Sequence, residues 1–148
     1  APNTGTTRAM AVTMLYRLAG EPAVKTTASF QDVDAGCYYA KAVAWAEANG
    51  ITEGIDDTHF APNGTVTRQQ LALFLYRYAR FQGYDTTARG DLAAYPDRPA
   101  VWARSAMQWC VGAGIIEGLE DGTLRPNGTA TRAQIAAVFH RFLTAYQV

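Results

Sequence analysis

Residues 62–78 read PNGTVTRQQLALFLYRY and combine a turn, a helix cap and an amphipathic helix. Thr67 and Gln70 have the spacing of a capping box, in which each side chain accepts a hydrogen bond from the other residue's backbone amide. Apolar residues then follow at helical spacing: Leu71, Phe74, Leu75 and Tyr78. The pattern predicts a helix that begins at Arg68 and buries one face.

The segment that precedes this helix occurs three times, at residues 2–8, 62–68 and 126–132, and each copy ends in Thr-Arg. Thr131 and Gln134 repeat the capping-box spacing, whereas Met10 leaves the box of the first copy half-made. The upstream halves match as well, because residues 30–54 and 95–118 share an aromatic-x-Asp start, a tryptophan-containing stretch and a Gly-Ile-x-Glu-Gly turn. The repeating unit is about 60 residues long. It predicts three repeats at residues 1–22, 23–83 and 84–148, of which the first contains only the second half of a unit.

The first helix of each complete unit is expected to run from Tyr38 to Asn49 and from Trp102 to Ala113. A glycine follows close to each predicted end, where it supplies the left-handed residue that terminates a helix. No segment has the sustained apolar–polar alternation of a β-strand. The sequence therefore predicts an all-α fold of tandem helical repeats.

The composition excludes several classes of partner. The chain has 148 residues, with 13 basic and 13 acidic side chains, so we expect no nucleic-acid partner. The apolar run at residues 71–76 is far shorter than the roughly 20 residues of a membrane span, and no span is expected. No signal peptide is visible, which fits a processed protein, a fragment or a cytoplasmic protein.

The polar residues do not form a catalytic pattern. The sequence contains no Ser-His-Asp constellation, zinc-protease motif, paired Cys-x-x-Cys or phosphate-binding loop. Its two cysteines, Cys37 and Cys110, fit no metal spacing. The recurrent polar features fall at repeat-equivalent positions, which favours a multivalent binder. We therefore expect no enzyme activity, no catalytic residue, no metal and no cofactor.

An arginine occupies the first helical position in each copy: Arg8, Arg68 and Arg132. A cation there opposes the helix dipole by roughly 0.3–1 kcal/mol, so each arginine should have a compensating partner. That partner is either an internal carboxylate or an external anion bound at the helix start. The recurrent carboxylates are Asp32, Glu53, Asp97 and Glu117. The residues expected to support such a site are Thr67, Gln70, Thr131, Gln134, Asp32 and Asp97.

Aromatic residues also recur at equivalent positions. Trp45 and Trp109 lie within the first helices and are expected to pack in the core. Tyr38 and Trp102 lie at the starts of these helices. Because an aromatic ring beside polar donors suits a sugar face as well as a core, both kinds of contact stay open for these residues.

These motifs together resemble the S-layer homology (SLH) repeat. In the second unit the matching elements are Phe30-x-Asp32-Val33, Tyr38-x-x-x-Ala42-Val43-x-Trp45, Gly50-Ile51-x-x-Gly54, Phe60-x-Pro62 and Val66-Thr67-Arg68. In the third unit they are Asp97, Trp102-Ala103-x-x-Ala106-Met107, Gly114-Ile115-Ile116-x-Gly118 and Thr131-Arg132. The family's glutamate after Thr-Arg-Ala is replaced by Met10, Gln70 and Gln134.

The resemblance implies repeats packed with pseudo-threefold symmetry around a central helical bundle. It also implies a non-catalytic, extracellular module that anchors proteins to the bacterial cell wall or cell surface. The implied partner is a secondary cell-wall polysaccharide, often pyruvylated and hence anionic, held in grooves between repeats. By position, the family's ligand-contacting arginine corresponds to Arg8, Arg68 and Arg132, and we expect Tyr38 and Trp102 to stack on sugar.

Two alternatives remain beside this interpretation. The same faces could dock another protein or further copies of the chain in a surface layer or filament, and salt should then weaken binding less than it weakens arginine–anion contacts. A lectin-like domain of a polysaccharide-degrading enzyme would share the binding chemistry. We expect the missing half of the first repeat to come from an upstream segment or from another copy of the chain.

Overall fold

The computed structural model describes residues 5–146. Within them lie five α-helices: α1 (Arg8–Leu18), α2 (Ala40–Ala48), α3 (Arg68–Phe81), α4 (Arg104–Gly112) and α5 (Arg132–Tyr146). Short 3-10 helices occur at Leu92–Ala94 and Val101–Ala103. Over the described residues, strand-like pairing is limited to three isolated bridges, and the predicted all-α fold is confirmed. Pro2, Asn3 and Thr4 of the first motif lie outside the described residues.

The chain forms two compact units, and the helices of each unit come from two successive repeats. The N unit, residues 7–65, contains α1 and α2. The C unit, residues 66–146 with residues 5 and 6, contains α3, α4 and α5. In each unit a Thr-Arg helix packs against the first helix of the next repeat, α1 against α2 and α3 against α4. The packed units thus begin half a repeat later than the sequence repeats do. The division into repeats at 1–22, 23–83 and 84–148 stays a prediction.

A tryptophan lies in the core of each unit. In the N unit, Trp45 of α2 packs against Tyr16 of α1, with ring centroids 5.5 Å apart. In the C unit, Trp109 of α4 packs against Tyr76 of α3 at the same centroid distance, and its Nε1 donates to Tyr146 Oη at 2.9 Å. Trp45 and Trp109 are 4% and 0% exposed, which confirms their predicted place in the core. Since such rings bury roughly 150–250 Å² each, they dominate the packing between the helices.

Three extended segments meet in the C unit through a closed cycle of backbone hydrogen bonds. Thr6 N donates to Ala130 O at 3.1 Å, Ala130 N donates to Val66 O at 2.9 Å, and Val66 N donates to Thr6 O at 2.8 Å. Each of these residues lies two positions before the arginine of a Thr-Arg pair. The three copies of the motif therefore use the same position for the same kind of backbone hydrogen bond. The pseudo-threefold symmetry of the whole bundle stays a prediction.

Capping boxes start α3 and α5 as predicted. Thr67 N donates to Gln70 Oε1 at 2.9 Å, and Gln70 N donates to Thr67 Oγ1 at 3.2 Å. The corresponding distances between Thr131 and Gln134 are 3.0 and 3.1 Å. Each box satisfies two backbone N–H groups that a helix start would otherwise leave without partners. The helix starts are consequently fixed by the local sequence.

The first helix has a capping box of different chemistry. Met10 N donates to Thr7 Oγ1 at 3.1 Å, and Thr7 N donates to Met10 Sδ at 3.4 Å. The sequence predicted only half a box here, because methionine lacks the amide oxygen of glutamine. In the structure the thioether sulfur, a weak acceptor, takes the place of that oxygen.

The starts of α2 and α4 correct the predicted bounds. The helices begin at Ala40 and Arg104, each two residues later than the predicted starts at Tyr38 and Trp102. Residues Val101–Ala103 form a 3-10 turn, whose tighter winding precedes α4. Tyr38 and Trp102 thus lie ahead of their helices and remain 67% and 55% exposed.

Three observations concern classes of function raised by the sequence. No helix within residues 5–146 is long and apolar enough to cross a bilayer. Over the same residues, no cluster of three or more His, Cys, Asp or Glu side chains could hold a metal ion. Cys37 and Cys110 are free thiols, and complete burial raises the pKa of Cys110. The Cys110 thiol is therefore a packing group of the core.

Candidate anion-binding site

Arg68 begins α3, and its side chain lies in the C unit with the residue only 5% exposed. Its Nε donates to Leu124 O and its Nη2 donates to Glu117 O, both at 2.8 Å. No described residue accepts a hydrogen bond from its Nη1. Burial lowers the pKa of Arg68 and the charge of Arg141 lowers it further, while Asp97 acts in the opposite direction. Since a guanidinium stays charged in proteins, this site holds a desolvated cation next to a second one.

Asp97 holds the loop that receives the Arg68 side chain. Leu124 N and Arg125 N donate to its two carboxylate oxygens at 2.9 and 2.8 Å. Burial raises the pKa of Asp97, but these backbone hydrogen bonds outweigh it and hold the pKa below its usual value. Arg125 has a φ of 47°, a left-handed conformation that costs a non-glycine residue about 1 kcal/mol or more. The carboxylate thus stabilises a strained turn that presents Leu124 O to the guanidinium.

The N unit has an equivalent arrangement around Arg8. This residue is 5% exposed, and its Nε donates to Phe60 O at 2.8 Å. Asp32 accepts from Phe60 N and Ala61 N at 2.9 and 2.8 Å, and Ala61 has a φ of 59°. Burial lowers the pKa of Arg8 to about 10, although the charge of Asp32 acts the other way. Both arginines therefore donate to backbone carbonyls of the next repeat. This kind of partner was not among the two that the sequence suggested, an internal carboxylate or an external anion.

Arg132 occupies the same sequence position in a different environment. It begins α5 behind the Thr131–Gln134 box, but its side chain is exposed. Over residues 5–146, no hydrogen bond joins its guanidinium to a backbone carbonyl of the kind that receives Arg8 and Arg68. The Thr-Arg motif therefore sets the helix start in all three copies and leads to burial in two of them.

A cavity of about 260 Å³ opens beside Arg68 within the C unit. The turn at residues 117–119 lines one side, and residues 133, 134, 137, 138 and 141 of α5 line the other. The turn lies close to Tyr95, since a Cβ added to Gly118 would be 2.5 Å from the tyrosine ring. The small side chains of Ala133 and Ala137 leave room on the helix side, and Gln134, a predicted supporting residue, also lines the cavity.

Arg141 and Glu117 form an ion pair in the lining of this pocket. Arg141 Nη2 lies 3.5 Å from Glu117 Oε2, and the two side chains are 35% and 66% exposed. Charge-assisted hydrogen bonds are shorter, about 2.7–2.9 Å, and pairs this exposed contribute at most about 1 kcal/mol. The pocket therefore contains two guanidinium groups and one loosely held carboxylate, so its net charge is positive.

The other predicted site residues have several different environments. Asp32 and Asp97 brace the loops that receive Arg8 and Arg68. Trp102 is 55% exposed and is not among the residues that line the pocket. In the C unit, the structure thus brings Arg68 and Gln134 to one cavity and leaves Trp102 outside it.

Sequence reasoning missed Arg141 as a site residue. The available signal was an arginine nine residues after each helix-start arginine: Arg17, Arg77 and Arg141. On α5 this residue continues the row of Ala133 and Ala137 at spacing i, i+4 and i+8, which places the three on one helix face. The sequence offered the Glu117 carboxylate as one possible partner of a helix-start arginine, but that carboxylate pairs with Arg141. It is the backbone carbonyl of Glu117 that accepts from Arg68.

Comparison with known proteins agrees with the sequence motifs. The model of the S-layer homology domain matches residues 29–72 and 94–136. A surface-layer 125 kDa protein of Lysinibacillus sphaericus is 36% identical over 118 residues, which cover 76% of this chain and 10% of that protein. An amylopullulanase of Thermoanaerobacterium thermosulfurigenes is 31% identical over 96% of this chain and 8% of its own length. A cellulosome-anchoring protein of Acetivibrio thermocellus is 25% identical over 96% of this chain and 33% of its own length.

This chain spans a third or less of the length of each of these relatives. In the relative named as an enzyme, the match covers only a small part of the protein's length. The relatives named as surface-layer and anchoring proteins identify a module of the cell surface with an anchoring role. With its helical fold, its Thr-Arg repeats and two family matches that together cover more than half of its residues, the chain belongs to the S-layer homology domain family.

Proposed function

We propose that this module anchors its parent protein by binding an anionic polysaccharide of the bacterial cell wall, and that the pocket beside Arg68 receives an acidic substituent of that polymer. The observation that carries the proposal is the buried Arg68 guanidinium, two of whose nitrogens donate to protein carbonyls while no described residue accepts from Nη1. A pyruvylated secondary cell-wall polysaccharide is the expected ligand. Its ketal carboxylate has the charge and the planar pair of oxygens that a guanidinium binds best.

Burial and charge both favour an anion at this position. Burial and the positive charge of Arg141 lower the pKa of Arg68, which means that the charged guanidinium is destabilised where it lies. A bound carboxylate would relieve that cost, because an opposite charge nearby stabilises the charged form. The pocket therefore gains binding energy from a cation that the fold has already desolvated.

The size of the pocket limits what one site can hold. A cavity of about 260 Å³ lies just below the usual range for small-molecule sites, which begins at about 300 Å³. It suits a single sugar residue or its acidic substituent, and one such contact should be weak. In our proposal Arg8 and Arg132 contribute at the equivalent positions of other repeats, and Tyr38 and Trp102 stack on sugar, so that several weak contacts add through avidity.

The direct test is co-sedimentation of the whole chain with Gram-positive wall sacculi, before and after acid extraction of the secondary polymer. An Ala137→Phe variant fills the pocket without removing a hydrogen bond, and Ala136→Phe adds the same ring to an exposed position of α5 as a matched control. We expect binding that disappears on extraction, weakens strongly in Ala137→Phe and persists unchanged in Ala136→Phe. Equal binding by both folded variants would refute the assignment of the pocket, and binding unaffected by extraction would refute the polysaccharide.

A second candidate function is the docking of another protein chain or of a further copy of this one. The neighbouring residues Val101 and Trp102 favour it, because they are 83% and 55% exposed and present apolar surface to solvent. Ionic strength separates the two functions, since salt screens arginine–anion contacts and leaves apolar docking largely unaffected. Pelleting that survives high salt but is lost in Val101→Ser would favour docking over polysaccharide binding, because Val101 has no part in the proposed sugar contacts.

A further inference from the structure

The pocket beside Arg68 already contains an anion of the protein itself. Glu117 is fixed there by its backbone, because its carbonyl oxygen accepts from Arg68 Nη2 at 2.8 Å. Its carboxylate is held far less firmly, at 3.5 Å from Arg141 Nη2 and with 66% of the side chain exposed. The residue therefore has a rigid main chain and a side chain that can rotate into solvent at little cost.

This arrangement has a consequence for any anionic ligand. Arg68 and Arg141 line the same cavity, and the positive charge of Arg141 lowers the pKa of Arg68. A ligand carboxylate that binds Arg141 through Nη2 competes with the Glu117 carboxylate, because Glu117 Oε2 lies 3.5 Å from that nitrogen. Ligand and Glu117 thus compete for the same cation.

We propose that Glu117 is an internal competitor that sets the affinity and charge selectivity of the pocket, and that Arg141 is the second cation that binds the ligand carboxylate once Glu117 has moved away. The inference rests on the proposed function and adds two residues to it. With Glu117 displaced, Arg68 and Arg141 form a two-point site for one carboxylate group. A neutral sugar gains no charge-assisted contact with Arg141 in exchange for the Glu117–Arg141 ion pair, so this site favours an acidic sugar over a neutral one.

The test uses isothermal titration of the whole chain with a methyl hexoside that carries a pyruvate ketal, and with its methyl ester as the neutral probe. Replacing Glu117 by Gln removes the competitor, and we expect affinity for the acid to rise roughly fivefold, equivalent to an exposed ion pair. Arg141→Gln should lower that affinity roughly tenfold by removing one charge-assisted contact. Glu120→Gln, an exposed residue three positions away, is the matched control for the change in net charge and should leave affinity unchanged.

The double variant Glu117→Gln/Arg141→Gln isolates the mechanism. If Glu117 acts only through Arg141, the double variant should bind the acid as weakly as Arg141→Gln alone. A fivefold gain in Glu117→Gln that persists without Arg141, or that Glu120→Gln reproduces, would overturn the competitor role and leave the polysaccharide function intact. If the wild-type chain bound neither the acidic hexoside nor unextracted wall sacculi, the proposed function would be overturned, and the inference with it.

Discussion

The starts of α3 and α5 have the same local sequence and opposite surroundings. Both begin Thr-Arg with a glutamine that completes the capping box, at a Thr N to Gln Oε1 distance of 2.9 Å in α3 and 3.0 Å in α5. Arg68 is nevertheless 5% exposed, whereas Arg132 is an exposed residue. The difference comes from residues about 50 positions farther along, where Glu117 and Leu124 supply carbonyl oxygens to Arg68. The motif fixes where a helix starts, and the next half-repeat decides whether its arginine is buried.

Replacing the two arginines by alanine should give the largest difference between these helix starts. Arg68→Ala leaves two carbonyl oxygens without their donors, and we expect a loss of about 3 kcal/mol in the free energy of unfolding. Arg132→Ala removes an exposed side chain and should change stability by less than about 0.5 kcal/mol. Urea unfolding followed by tryptophan fluorescence measures both variants.

Arg68→Lys serves as the control for charge in this comparison. Lysine keeps the positive charge but cannot reach two carbonyls with a planar fork, so its stability should lie between wild type and Arg68→Ala. Equal losses in Arg68→Ala and Arg132→Ala would contradict the idea that the neighbouring half-repeat makes the difference.

Removing the carboxylate that braces the receiving loop should have the next largest effect. Asp97→Ala takes acceptors from Leu124 N and Arg125 N and releases the strained turn at Arg125, so we expect a loss of about 2 kcal/mol. Asp121→Ala is the control, because its exposed carboxylate accepts from Thr123 N and Oγ1 in its own turn and, at a long 3.4 Å, from Arg125 Nη2. Chemical denaturation should show a clearly smaller loss in the free energy of unfolding for Asp121→Ala. A larger loss in Asp121→Ala than in Asp97→Ala would contradict the idea that Asp97 is the residue that stabilises this loop.

Protonation of Asp32 and Asp97, the carboxylates that brace the two receiving loops, should have a smaller effect on stability. The pKa values of Asp32 and Asp97 are lowered in the fold, mainly because backbone hydrogen bonds outweigh their burial. A lowered folded pKa gives stability that is present above the unfolded value of about 3.9 and is lost as pH falls through the folded value. Melting temperatures should therefore decline below about pH 4 in the wild type and less steeply in Asp97→Asn. An unchanged slope in Asp97→Asn would mean that this carboxylate has the same pKa in both states.

Features carried by short segments were predictable from the sequence. The starts of α3 and α5, their capping boxes and the burial of Trp45 and Trp109 follow from residues within a few positions of one another. Contacts of Arg68 were not predictable, because its acceptors are backbone carbonyls 49 and 56 residues away and any residue type carries a carbonyl. Arg141 was missed for a similar reason: only the fold brings α5 beside the turn at residues 117–119. The delayed start of α4 follows the 3-10 turn at Val101–Ala103, and that of α2 follows ordinary turn residues. Neither segment has a distinctive residue pattern.

The smallest expected effect compares the capping box of α1 with that of α3. In α1 the Thr7 amide donates to a thioether sulfur at 3.4 Å, where in α3 the Thr67 amide donates to an amide oxygen at 2.9 Å. Met10→Gln should restore the oxygen acceptor and raise the free energy of unfolding by about 0.5 kcal/mol, while Gln70→Met should lower it by a similar amount. If both changes destabilise, the methionine must contribute through packing rather than capping, because a pure exchange of acceptors has opposite signs at the two helix starts. Hydrogen exchange at the amides of Thr7 and Thr67 separates these cases, since a stronger acceptor slows exchange at its own donor and packing elsewhere along the helix does not.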